Sequence, residues 1–151
     1  MEFMGYVRAD GQVGARNYVA VIPSVVCATE VVEAIVSQTE LTKGYFHHQG
    51  CCQLPPDLER VTDSLIGLGA NPNVGAALVV SLGCEGVDNE KLVAEIAKTG
   101  KPVEIIRIQE LGGTTKAIAA RLGWHRQRVP ERLDAAGGRL LGHLNDVAAG
   151  C

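Results

Sequence analysis

The residues of this chain best equipped for chemistry are its cysteines. Cys27, Cys51, Cys52 and Cys84 each follow an apolar or aromatic run, and a fifth, Cys151, is the last residue. Thiolates are soft ligands suited to zinc, iron or an iron–sulfur cluster. No Cys-x-x-Cys pair is present, so a shared centre needs thiols gathered by the fold from distant segments. The plainer alternative is a set of unrelated small hydrophobes in tight turns. His48, three residues before Cys51, can ligate a metal or move a proton near neutral pH. Glu85, next to Cys84, is a carboxylate that can act as a base or anchor a neighbouring ligand. Gly112-Gly113-Thr114-Thr115-Lys116 has the form of a turn opening a helix. The free N–H groups and dipole of such a helix start favour an anion, and Lys116 adds a charge for a carboxylate.

The elements that must position these groups follow from hydrophobic periodicity. Residues 17–23, 76–82 and 103–108 are apolar runs of the kind found in strands covered on both faces, and GYFHH (44–48) suggests a further short strand. Ala28, Val31, Val32, Ile35 and Val36 form one helical face over 28–38. Pro55-Pro56 opens a second helix with Leu58, Val61, Leu65 and Leu68 inward. Asp88 or Asn89 caps a third, and a fourth follows Lys116. The expected fold is a doubly wound, three-layer α/β/α domain with a mainly parallel sheet of about four strands. In such a sheet the C-terminal strand ends share one edge, so Cys27, Cys51 and Cys84 are delivered to the same side. His47 and His48, on opposite faces of a strand, would then send at most one imidazole to that side. Arg16 and Asn17 precede the first of these strands, at the other edge unless the segment before them folds back.

Composition bounds the partners. The chain has 151 residues, 46% hydrophobic and 21% charged, which suits one soluble domain with its own core. A net charge of −3 and 4% aromatic residues argue against a nucleic-acid binder. The apolar run Ala76–Val80 is far short of the ~20 residues of a membrane span. The opening MEFMGYVRADG has no basic stretch followed by a long apolar one, so the expected compartment is the cytoplasm. Residues 1–118 form the expected α/β domain. Residues 119–151 are Arg-rich and Lys-free, with net charge turning from −5 over 1–119 to +2 over 120–151. They are expected to be a helical or partly disordered tail, with the composition of a truncated or rearranged end.

GYVRADGQVGARNYVAVIPSVVC, HHQGC, NPNVGAALVVSLGCE and IQELGGTTKAI, in this order and spacing over about residues 5–118, resemble the sugar-acid dehydratase family. That family includes altronate and galactarate dehydratases and the large subunits of sulfolactate sulfo-lyases. The resemblance implies a hydro-lyase that uses iron, as Fe2+ or a cluster, or another divalent metal. Its substrate would be a sugar acid such as altronate or galactarate, and its product a 2-keto-3-deoxy acid. Cys27, Cys51 and Cys84 fall on the family's motif cysteines and are the implied metal ligands. Arg16, Asn17, His48, Glu85, Gly112, Gly113, Thr114 and Lys116 fall in its polar motifs. His48, Glu85 and Lys116 are the catalytic candidates, and Arg16, Asn17, Gly112, Gly113 and Thr114 the substrate-binding ones. Cys52 departs from the pattern, standing where the family usually has glycine. The likeness stops near Ile118, which implies a missing second dehydratase domain or subunit and a face whose exposure favours self-association. A thiol-redox or metal-binding module using Cys51-Cys52, and a non-catalytic partner-binding fragment, are the alternative readings.

Overall fold

The computed structural model describes residues 2–120 and 138–143, with side chains described from Gly5 to Ala120. In chain order the elements are β1 (Glu2–Val7), β2 (Val13–Gly14), β3 (Tyr18–Pro23), α1 (Thr29–Val36), β4 (Thr42–Gly44), α2 (Pro55–Ala70), β5 (Val74–Ser81), α3 (Asn89–Ala97) and β6 (Val103–Arg107). A helix α4 follows, described over residues 114–120, and then β7 (Gly138–His143). Four strands form a sheet in the order β4-β3-β5-β6, and every pair in it is parallel.

Both sheet faces are covered, as the apolar runs require. Along β3, Val21 points into a cluster with Val31, Val32 and Ile35 of α1 and Ala117 of α4. Its neighbours Ala20 and Ile22 point the other way, against Leu65 of α2 and Leu92 and Ile96 of α3. Along β5, Leu78 and Val80 face the first cluster while Ala77 and Val79 face the second. This period of two, buried on both sides, is the three-layer α/β/α arrangement expected from the pattern. Asp88 is the cap of α3, its carboxylate accepting from the Lys91 N–H at 2.9 Å.

Two segments differ from the expectation. The second parallel strand is Thr42–Gly44 rather than 44–48. It pairs Thr42, Lys43 and Gly44 with Val19, Ala20 and Val21. The aromatic run beyond it makes the exit turn: Phe46 folds back so that its ring fills the place a side chain on Gly44 would take. His47 turns inward to bond the Pro23 carbonyl at 2.6 Å. The second difference is at the ends of the chain. Residues 2–7 and 13–14, which look irregular in sequence, form β1 and β2, and residues 138–143, expected within a helical or partly disordered tail, are a strand. The three make an antiparallel sheet, β2-β1-β7, with Glu2 opposite His143 and Val7 opposite Gly138. The remaining tail residues lie outside those described.

Arg8 joins this small sheet to the main one. It is 5% exposed. Its guanidinium donates to the Pro72 carbonyl at 2.7 Å, to Asn17 Oδ1 at 2.8 Å and to the Arg16 carbonyl at 3.0 Å. A buried cation is tolerable because all three edges of the fork are occupied. Replacing Arg8 with alanine strands those acceptors, and we expect a loss of about 2–3 kcal/mol in stability. Urea unfolding of the two proteins checks this; a loss below about 0.5 kcal/mol would mean the clamp is not what holds the two sheets together.

Candidate functional site at the C-terminal edge of the sheet

The chain runs from β3 outward to β4, then crosses back over β3 to β5 and on to β6. The direction of winding therefore reverses between β3 and β5. In open parallel sheets the crevice at such a reversal, beyond the carboxyl ends of the strands, is where ligands bind. Cys27 lies in a short 3-10 turn, Val26–Ala28, directly after β3, and Cys84 lies in the loop after β5. Cys51 and Cys52 follow β4. All four thiols are exposed.

Three loops are tied together at this edge. His47 donates from Nε2 to the Pro23 carbonyl and accepts the Gln49 N–H at Nδ1, 3.2 Å away. Both ring nitrogens are thereby committed, Nδ1 as acceptor of the Gln49 N–H and Nε2 as donor to Pro23. The Val26 N–H donates to the Gln49 carbonyl at 3.0 Å, and the Gly86 N–H to the Gly50 carbonyl at 3.1 Å. Gly50 has φ +101°, and any side chain there would strike the Ser24 carbonyl and Val25. Only glycine lets the turn carrying Cys51 and Cys52 press so closely on the end of β3.

Glu85 is the centre of the arrangement. Its carboxylate accepts from Ser24 Oγ at 2.6 Å, the Gly83 N–H at 2.7 Å and Asn89 Nδ2 at 2.8 Å. It thus pins the end of β3, its own loop and the start of α3. Asn89 is 8% exposed and also donates to Ser81 Oγ at 3.3 Å. Burial pushes the Glu85 carboxyl up, but hydrogen bonds from Ser24, Ser81, Asn89 and Gly83 outweigh it and hold the group at about 2. Such a carboxylate is a poor proton acceptor near neutral pH. Of its two expected roles, base or anchor, the geometry fits the anchor. Sequence reasoning missed Ser24 and Ser81, whose only signal was a hydroxyl after one apolar run and within another, and it offered Asn89 only as a helix cap.

The other candidates divide. His48 is exposed and takes part in no hydrogen bond among the described residues. It lies in a loop, so strand alternation does not decide which way it faces. Gly112 and Gly113, with φ +81° and +114°, form the turn after β6, and Lys116 Nζ curls back over Gly112. The N–H groups of both glycines are spent on the Gln109 and Ile108 carbonyls. The amides open to an anion are therefore those of the first turn of α4, from Thr114 onward. Arg16 and Asn17 lie before β3, roughly 20 Å away along a six-residue strand. The segment before them does not fold back: Asn17 is bonded to Arg8 and the Arg16 amide to Asn73 Oδ1. This chain does not bring those two residues to the thiols.

The thiols are neighbours, and yet they do not form a finished cage. The Cys51 thiol is pushed up first by its hydrogen bond to Cys52, 3.5 Å away, and further by the charges of Cys52, Cys27 and Cys84 and by burial. Among the described residues no three of His, Cys, Asp or Glu are grouped closely enough to hold a metal ion. The arrangement as it stands does not fit a three-thiolate centre. A cavity of about 430 Å³ lies nearby between the β4 exit and α2, lined by Tyr45, Phe46, Val61, Leu65 and Leu68, with Arg60 at its wall. Its walls are too apolar for a polyhydroxylated acid.

A doubly wound α/β domain with its polar groups at the winding reversal belongs to a class that binds small ligands there. Within that class, the family described as "D-galactarate dehydratase/Altronate hydrolase, second domain" matches residues 5–132, and the chain belongs to it. The match runs past Ile118, where the resemblance in sequence was expected to stop. The chain is 39% identical to the (2R)-sulfolactate sulfo-lyase subunit beta of Chromohalobacter salexigens, over 79% of this chain and 30% of that protein. It is 37% identical to the altronate dehydratase of Escherichia coli, over 53% of this chain and 18% of that protein. The altronate dehydratase of Bacillus subtilis aligns with 98% of this chain and 28% of its own length, at 27% identity. The chain thus spans less than a third of each of these relatives. No solved structure matches it. No helix among the described residues is long and apolar enough to cross a membrane.

The Glu85 network carries a pH signature. Its folded value, about 2, lies below the ordinary 4.5. The unfolded chain therefore binds the proton more readily, and the stabilisation is complete above about pH 5 and fades as pH falls from there towards 2. Discounted for partial exposure, it is worth roughly 1–2 kcal/mol. Glu85→Gln should be less stable than the parent at pH 7, and the gap should narrow as pH falls towards 3. A gap that stays constant across that range would contradict the assignment.

Proposed function

We propose that this chain is part of a hydro-lyase that dehydrates a sugar acid such as altronate or galactarate to a 2-keto-3-deoxy acid. The observation that carries the reading is the family match over residues 5–132, together with relatives named altronate dehydratase in two bacteria. The position of Cys27, Cys51, Cys84, His48 and Lys116 at one sheet edge supports it.

The elimination removes the proton next to the carboxylate and expels the neighbouring hydroxyl as water, after which the enol becomes the ketone. Lys116, at the start of α4, would hold the substrate carboxylate. His48, exposed and uncommitted among the described residues, is our choice for the group that takes the proton. Glu85 acts as a positioning residue through Ser24, Gly83 and Asn89. The activity would use iron or another divalent metal, whose part is to stabilise charge on the substrate's oxygens. Because no three donors among the described residues are grouped for an ion, Cys27, Cys51 and Cys84 would need further ligands from another domain or subunit of the enzyme. The name of the Chromohalobacter relative, a subunit beta, favours such an assembly. The same relative favours one rival reading, in which the leaving group is sulfite rather than water.

The test is an anaerobic assay of the chain, alone and with a complementing dehydratase domain, supplied with Fe2+ and altronate, galactarate or sulfolactate. We expect keto-acid formation from a sugar acid, lowered at least ~100-fold by His48→Ala. Sulfite release from sulfolactate with no sugar-acid turnover would replace the hydro-lyase by the sulfo-lyase. No turnover of any of the three with the complementing domain bound would leave a partner-binding fragment.

A further inference from the structure

Adjacent cysteines on an extended chain point to opposite faces and cannot share a ligand. Cys51 and Cys52 escape that rule. Cys52 has φ +56°, in the left-handed region that non-glycine residues rarely occupy. This twist turns its side chain to the same side as its neighbour, and the two Sγ atoms stand 3.5 Å apart. Both are exposed. The turn beneath them is held from several directions: the Gly50 N–H donates to Gln53 Oε1 at 2.7 Å, the Gly50 carbonyl accepts from Gly86, and Gly50 abuts Ser24 and Val25. The pair is therefore set in place before any ligand arrives.

Two thiolates bound at ~2.3 Å to one tetrahedral zinc stand about 3.8 Å apart. The observed separation needs to open by only a few tenths of an ångström to reach that value. We propose that Cys51 and Cys52 form a two-thiolate clamp for a soft divalent cation of the zinc and cadmium class, with water filling the remaining positions. As the two metal–sulfur bonds form, the two thiols release two protons, and no electron is transferred. The clamp goes beyond the hydro-lyase reading, since it needs Cys52 and does not need Cys27 or Cys84.

The probe is Cd2+ alone, titrated into the full chain under reducing conditions and followed by the ultraviolet thiolate-to-cadmium absorption. A Cys151→Ser background silences the fifth cysteine. We expect one Cd2+ per chain, with up to two protons released. Cys51→Ser and Cys52→Gly should each weaken binding at least ~10-fold, while the Cys27→Ser/Cys84→Ser double variant binds like the parent. Cys52→Gly is the informative variant, because glycine suits a positive φ and the protein stays folded. Two results would overturn the proposal. One is parental affinity in Cys52→Gly. The other is a loss in Cys27→Ser/Cys84→Ser as large as that in Cys52→Gly, which would assign the ion to the three-cysteine set of the hydro-lyase reading.

Discussion

One half-buried carboxylate, that of Glu85, organises the loops at the C-terminal edge of the sheet. Without Glu85, the end of β3, the loop after β5 and the first turn of α3 would carry polar groups facing one another with no common acceptor. With it, Ser24, Gly83 and Asn89 converge on two oxygen atoms. An acceptor that satisfies so many donors stays ionised, and its charge is neutralised by dipoles rather than by a cation. The loops bearing Cys27 and Cys84 are thereby held in a fixed relation across the winding reversal. A third loop, carrying Cys51 and Cys52, is locked to them through the Gly50 carbonyl and the His47 imidazole.

The two ends of the sheet have opposite character. The N-terminal edge buries two cations. Arg8 is satisfied by backbone and Asn17, and Lys101 donates to the carbonyls of Ala70 and Asn71 that end α2. Burial pushes the Lys101 ammonium down to about 8, while its contacts with carbonyls at a helix C-terminus are of the favourable kind. These groups are spent on holding the fold. The C-terminal edge leaves its thiols, His48 and Lys116 exposed, and three large apolar side chains, Val26, Phe46 and Leu54, stand exposed beside the thiol-bearing loops. Buried cations brace one end, and the exposed thiols stand at the other above a network that fixes their loops, which is the division of labour that parallel α/β sheets permit.

Much of this was legible in the residues. The alternation along β3 and β5, the helical faces of α1 and α2 and the Asp88 cap follow from local rules, and the structure carries them. The shared edge of the cysteines follows from parallel topology alone. What could not be read depends on contacts between distant segments. β1 shows no alternation of its own and exists through pairing with residues 138–143. The aromatic run after β4 has the composition of a strand, and ring packing over Gly44 turns it into an exit loop. Glu85 looks like an available base until its donors, from three separate stretches, are seen around it. The resemblance leads one to expect glycine where Cys52 stands, and the positive φ there is a conformation that suits glycine.

The claim on which the rest stands is that thiols distant in sequence meet at one rim. A short-reach thiol-to-thiol cross-linker applied to the native chain, with the bridged peptides identified by mass spectrometry, examines it directly. The account predicts bridges joining the peptide of Cys51 to those of Cys27 and Cys84, lost on denaturation before treatment. Native protein yielding only the Cys51–Cys52 bridge, with Cys27 and Cys84 singly labelled, would contradict it.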